Sequence, residues 1–116
     1  MSAHNKIDYL EMPTTNMEAT KAFFAEVFEW MFMDHGPEYA SFLGEGINGG
    51  FYATDKSMST RHGSALVVLY SKDLEASQRL IEQHCGKITK PTFSFPGGRR
   101  FHFEDPTGNE FAVWSE

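Results

Sequence analysis

The sequence predicts an α+β chain made of one strand-helix-three-strand unit written twice, and three observations carry that prediction. First, Asn16-Met17-Glu18-Ala19-Thr20 returns in register as Asp73-Leu74-Glu75-Ala76-Ser77, an offset of 57 residues from Asn16 to Asp73. Second, the short apolar runs of strand length that follow each helix are separated by glycine- and proline-rich turns. Third, Phe93 to Glu116 reads as a three-strand antiparallel meander.

Taken in order, Ile7 to Met12 predicts the first strand, with Ile7, Tyr9 and Glu11 on one face and Asp8, Leu10 and Met12 on the other, and Pro13 ending it. Thr15 and Asn16 both offer helix N-caps, and Thr15 with Glu18 fits a capping box, so a helix is predicted over about Met17 to Phe28. Phe23, Phe24, Val27 and Phe28 fall at helical spacing and form a stripe for core packing. Trp30 to Met33, Tyr39 to Leu43 and Gly49 to Ala53 are three further strands, parted by His35-Gly36-Pro37 and Gly44-Glu45-Gly46. Residues 54–63 are polar without periodicity and read as a linker.

The second unit begins with a strand over Ala65 to Tyr70. Asp73 caps a helix from Leu74 to about His84, in which Leu80 and Ile81 stand where Phe23 and Phe24 stood, and Gly86 is expected to close it in the left-handed region. In the meander, Pro96-Gly97-Gly98 makes the first bend and Asp105-Pro106-Thr107-Gly108 a type I turn. The glycines at 97 and 98 are not a phosphate loop, because such loops open a helix and here a strand follows. Strand alternation puts Phe101 and Phe103 on one face and Arg100, His102 and Glu104 on the other. In the last strand Phe111 and Val113 oppose Glu110, Ala112 and Trp114. If the phenylalanine face covers the core, the opposite face gathers charged and aromatic side chains, and function is expected there.

Composition narrows the classes. At 116 residues with eleven Phe, four Tyr and two Trp, the chain has apolar mass for one domain. A net charge of −6 and a pI near 5.3 argue against nucleic acid as a partner, since phosphate binding needs clustered cations and Arg99-Arg100 is the one basic pair. The single cysteine, Cys85, allows no intramolecular disulfide and reads as a small buried hydrophobe in a reducing compartment. Met-Ser-Ala-His-Asn-Lys has no apolar signal core, and no stretch nears the roughly 20 apolar residues of a membrane span, so a cytoplasmic protein is expected. No nucleophile elbow, Walker loop or paired-cysteine zinc motif occurs.

The tandem βαβββ units, Phe23-Phe24 late in the first helix, Phe28-Glu29-Trp30 at its end and Asp105-Pro106-Thr107-Gly108-Asn109-Glu110-Phe111 before the last strand resemble the vicinal oxygen chelate superfamily. This is the group of glyoxalase I, extradiol dioxygenases, fosfomycin-resistance enzymes and bleomycin-resistance proteins. The resemblance spans nearly the whole chain. It implies a single domain over residues 1–116, with repeat units of about 5–55 and 64–116 and eight strands curled into a mixed sheet around a cavity, helices outside, in a homodimer. Metal-using relatives place one ligand, usually His, Gln or Glu, on each of four strands. In this chain those positions fall on Tyr9, Ala65, Ala112 and the region of Gly50 to Tyr52, none of them an imidazole or carboxylate. No cofactor is therefore expected at the usual positions, and a divalent metal would need a rearranged donor set.

Tyr9, Glu11, Arg100, His102, Glu110 and Trp114 remain as cavity-side candidates. His102 could act as acid or base near neutral pH, or be a surface or dimer-contact residue. Arg100, more than Arg99 on the alternate face, could bind a carboxylate or phosphate bidentately, or form a salt bridge to Glu11 or Glu110. Tyr9 and Trp114, with Phe51 or Tyr52, could line a flat ligand site or belong to the core. His4, His35 and His62 share no metal-ligand spacing, and His84 suits its helix C-terminus. The expected function is binding of a small aromatic or anionic molecule without the usual metal. The alternatives are a lyase, isomerase or dioxygenase with a rearranged metal site or His102 acid-base catalysis, and a dimeric domain with a vestigial cavity.

Overall fold

A computed structural model describes residues 2–116. The first unit holds β1 (Leu10–Thr14), α1 (Met17–Phe28), β2 (Phe32–Asp34), β3 (Tyr39–Phe42) and β4 (Gly49–Ala53). The second holds a single 3-10 turn (Thr60–His62), β5 (Val67–Tyr70), α2 (Leu74–Gln83), β6 (Lys87–Phe95), β7 (Gly98–Glu104) and β8 (Glu110–Ser115). The chain divides after Lys56 into two compact units. Each unit has its own four-stranded mixed sheet, ordered β1-β4-β3-β2 and β5-β8-β7-β6, with the strand that precedes the helix parallel to the last strand of the unit. The α+β class, the eight strands and the doubled βαβββ order are as the sequence predicts. No helix among the described residues is long and apolar enough to cross a membrane.

The repeat in sequence is a repeat in bonding. Asn16 Oδ1 accepts the Ala19 N–H at 3.1 Å, and Asp73 Oδ1 accepts the Ala76 N–H at 3.1 Å, so both helices start on the same side-chain cap. Asn16 and not Thr15 is the cap, and the Thr15–Glu18 capping box does not form. Thr14 instead turns its hydroxyl to the Asn16 N–H and to Thr20, and Glu18 pairs with Lys21. From α1 the sheet receives Phe23, Phe24 and Val27, with Phe28 only half-buried. In α2 the match holds at Ile81, fully buried like Phe24, whereas Leu80 is exposed where Phe23 is not.

Strand limits shift for physical reasons. β1 starts at Leu10, whose N–H bonds Asn48, and runs through Pro13 to Thr14 instead of stopping at Pro13. As an edge strand it tolerates proline at a residue whose N–H would point away from β4. Trp30 precedes β2, packed between Phe24 and Phe42 at ring distances of 4.8 and 4.6 Å. β5 starts at Val67, leaving Ala65 exposed ahead of it. β6 is longer than the sequence suggests and carries register shifts between Ile88 and Lys90 and between Lys90 and Phe93, again on an edge, where Pro91 is accommodated.

Two expectations at the end of α2 are corrected. Cys85 is exposed, not buried, and it is Cys85 (φ 71°), not Gly86, that takes the left-handed conformation. The Gly86 N–H then closes on the Ile81 carbonyl at 2.8 Å, which puts Cys85 one residue past the cap, where its side chain faces outward. The segment read as a linker also has a fixed place: Ser57 onward belongs to the second unit. The Met58 N–H donates to buried Asn109 Oδ1 at 2.8 Å, and the Glu110 N–H donates to the Met58 carbonyl at 3.0 Å.

Candidate functional site

In the second unit the register sorts side chains by face. Phe101, Phe103, Phe111 and Val113 are fully buried on one side. On the other, β7 and β8 pair Arg100 with Trp114, His102 with Ala112 and Glu104 with Glu110. β5 adds Val68 beside Ala112 and Tyr70 beside Trp114, and β6 adds Phe93 beside Arg100 and Lys90 beside His102. The sequence-predicted residues Arg100, His102, Glu110 and Trp114 thus lie together on this one face, because a strand has a period of two and two antiparallel neighbours keep that phase.

A hydrogen-bonded row runs across one end. His102 Nδ1 is 3.1 Å from Glu110 Oε2. Glu110 Oε1 accepts the Thr60 N–H at 2.8 Å and the Thr60 hydroxyl at 2.9 Å. Burial pushes the Glu110 carboxyl up, but the Thr60 N–H, His102 and the Thr60 hydroxyl together outweigh it and hold the group below the usual carboxylate range. An ionised carboxylate only accepts, so the proton between the two side chains sits on His102 Nδ1. In the neutral ring Nε2 is then a bare lone pair, and that atom is buried with no hydrogen-bond partner. His102 and Glu110 line a cleft of about 510 Å³ together with Thr60, Arg61, Lys87, Lys90 and Glu104.

The other end is aromatic and cationic. The Arg100 guanidinium lies over the Phe93 and Phe95 rings at 5.4 and 5.9 Å. Phe95 and Tyr70 approach Trp114 at 6.3 and 5.1 Å. Within the second unit the salt bridge from Arg100 to Glu110 that the sequence left open is not formed, and among the described residues of that unit Arg100 makes no ion pair. Its Nε is buried without a partner. Arg99, on the alternate face, pairs with Glu75 at 2.7 Å.

Tyr9 and Glu11 belong to the first unit, where they meet a residue the sequence reading did not single out. The Tyr9 and Tyr39 hydroxyls are 2.6 Å apart, and Tyr39 donates to Glu11 Oε2 at 2.9 Å. Burial first, then these two bonds, push the Tyr39 phenol well above its ordinary value. Its ring lies across Gly50, where any Cβ would collide with the hydroxyl. Phe51 is fully buried and lines nothing, while Tyr52 is exposed. Alternation from Ser41 would have placed Tyr39 on this face. Thr60 and Lys90 had no such signal, since a turn and the register shifts of β6 erase the period of two, whereas Phe93 follows by regular pairing back from the bend at Gly97.

The donor set at the four metal positions does not fit a divalent ion. The region of Gly50 to Tyr52 offers no imidazole or carboxylate, Ala112 offers a buried methyl, Ala65 lies outside the sheet, and the Tyr9 hydroxyl is engaged by Tyr39. Among the described residues no three His, Cys, Asp or Glu side chains converge as ligands.

Residues 6–113 match the Glyoxalase/Bleomycin resistance protein/Dioxygenase superfamily. No curated relative matches by sequence. Among solved structures, a glyoxalase-related enzyme from Fulvimarina pelagi is similar with a TM-score of 0.76 and 17% identity, over 97% of this chain and 88% of that one. A genomically encoded fosfomycin resistance protein from Listeria monocytogenes gives 0.79 and 13%, over 98% and 95%. A lactoylglutathione lyase from Agrobacterium tumefaciens gives 0.71 and 15%, over 97% and 95%. At these identities the likeness is one of fold. With the doubled βαβββ order and the family match over residues 6–113, the chain belongs to the Glyoxalase/Bleomycin resistance protein/Dioxygenase superfamily.

Proposed function

We propose that the second unit binds a small aromatic anion on the open face of β5-β8-β7-β6, with Arg100 holding the anionic group and Trp114, Phe95 and Tyr70 bordering the ring. The observation that carries this reading is Arg100 itself, a guanidinium laid over two phenyl rings with no carboxylate partner and a buried, unpartnered Nε. A cation held against aromatic faces gains about 0.5–2 kcal/mol there and keeps its fork free for a bidentate acceptor. Charge distribution agrees. The unit ending at Lys56 has three Lys and Arg against nine Asp and Glu, whereas the second has seven against seven, so an anion meets far less repulsion in the second.

Titration of Trp114 fluorescence with a panel of aromatic carboxylates tests the reading, with Trp114→Phe to separate its signal from that of Trp30. Arg100→Gln is expected to weaken binding by roughly 10- to 150-fold, the loss of about 1.5–3 kcal/mol from a charged hydrogen-bonded pair. Unchanged affinity in Arg100→Gln, or equal affinity for neutral aromatics, would overturn it. A homodimer is part of the same proposal, and light scattering at micromolar concentration decides it.

A further inference from the structure

We propose that Met31, Met33 and His35 form a soft-metal site on the exposed face of β2, suited to monovalent copper or to its redox-silent analogue, silver. The site lies in the first unit, goes beyond the binding of an aromatic anion in the second and does not rest on it.

Strand geometry puts the three donors together. Phe32 turns inward, its ring 6.3, 6.2 and 6.2 Å from those of Trp30, Phe42 and Phe51. A period of two then sends Met31, Met33 and His35 to the opposite side. The His35 N–H donates to the Tyr39 carbonyl at 2.9 Å, so the pairing of β2 with β3 continues past Asp34 and keeps His35 in phase. Same-face neighbours stand roughly 7 Å apart along a strand, and the unbranched, flexible methionine side chain lets each sulfur close that gap.

Burial sets these two methionines apart. Met12, Met17 and Met58 are buried, as core methionines are, whereas Met31 and Met33 are 79% and 60% exposed. An edge strand ordinarily carries charge to discourage pairing with another chain, and this face of β2 carries two thioethers instead. They border a groove of about 290 Å³ with Ser41 and Leu43. His35 Nε2 lies 2.9 Å from Oγ of Ser41, the residue paired with Met33 across the strands, so the imidazole leans toward Met33. Among the described residues His35 Nδ1 makes no hydrogen bond. A metal at Nδ1 selects the tautomer in which Nε2–H donates to Ser41, the kind of second bond by which ligating histidines hold their orientation.

Donor chemistry names the ion. Two thioethers and a neutral imidazole suit Cu(I), and they offer a harder divalent ion neither carboxylate nor thiolate. The first unit supplies negative charge around the cation, with three Lys and Arg against nine Asp and Glu, and Glu45 Oε2 accepts the Met31 N–H at 3.3 Å. Binding donates three lone pairs, and copper stays monovalent throughout.

Anaerobic titration with Cu(I) held by a chromogenic chelator tests the site, in a Cys85→Ser background because the exposed Cys85 thiol is itself a soft ligand. One equivalent should bind, and X-ray absorption should find a Cu(I) edge with sulfur and nitrogen in the coordination shell. Met31→Leu and Met33→Leu keep an apolar side chain of similar volume on an exposed surface, and each should weaken binding by about 10-fold or more, as should His35→Gln. In the silver-loaded protein the methyl NMR signals of Met31 and Met33 should shift while those of Met12, Met17 and Met58 stay in place. A shell without sulfur, unchanged affinity in Met33→Leu, or Zn²⁺ bound as tightly as Cu(I) would overturn the proposal. So would a metal-induced nitrogen shift at His35 Nε2 with Nδ1 unmoved.

Discussion

Glu29 (φ 63°) and Cys85 (φ 71°) each end a helix in the left-handed region, where an L side chain costs about 1–2 kcal/mol. Neither side chain is buried, so glycine there removes strain without opening a cavity. Glu29→Gly and Cys85→Gly should each raise stability by about 1 kcal/mol after the extra chain entropy of glycine is subtracted, which denaturant melts would register as a higher midpoint. Glu110 makes a prediction in pH. Its folded carboxyl titrates lower than in the unfolded chain, so the stability it confers is present at neutral pH and lost as pH falls through and below the ordinary carboxylate range. The stability gap between wild type and Glu110→Gln should therefore be widest near neutrality and close on acidification, and a gap that widens in acid would contradict the Thr60–Glu110–His102 row. Asp105 runs the other way, its carboxyl raised by burial despite bonds from Thr107, Asn109 and Gly108, so its protonation in acid favours the folded state and softens the loss.

The helices and strands depend on a few contacts that local chemistry dictates. Asn16→Ala and Asp73→Ala remove equivalent caps and should each cost about 1 kcal/mol, a pair of near-equal losses that tests the repeat by thermodynamics. Gly98 in β7 sits against the Ser115 carbonyl, so Gly98→Ala must part β7 from β8 and should cost about 1–3 kcal/mol. Gly50→Ala meets only the end of the Tyr39 side chain, and it should cost less while breaking the Tyr9–Tyr39–Glu11 chain, seen as a lower Tyr39 titration midpoint by ultraviolet absorbance. These elements also show what was legible in advance. The Phe101/Phe103 and Arg100/His102 faces came directly from alternation in a regular strand. The faces of β6 ahead of Phe93 could not, because two register shifts within that strand of nine residues reset the phase. Thr60 lay in a stretch with no period at all, and its role exists through bonds to a residue 50 positions away.

At the scale of the molecule, the negative charge is concentrated in the unit ending at Lys56, while the second is balanced and carries the candidate site. Metal content follows from the donor set: elemental analysis of purified protein should find no stoichiometric Ni, Zn, Mn or Fe, and one equivalent of any would require ligands other than the four family positions. The sequence by itself determined the doubled βαβββ order, the Asp73 cap of the second helix, the phenylalanine core face and the superfamily, because each of these is written in neighbouring residues as a period, a cap or a turn. Only the tertiary structure decided that Thr60 clasps Glu110, that His102 Nε2 and Arg100 Nε have no partners, and that Tyr39 fills the notch at Gly50. Those facts arise where residues far apart in the chain compete for the same hydrogen bond or the same volume, and that competition is settled only when the strands are in register.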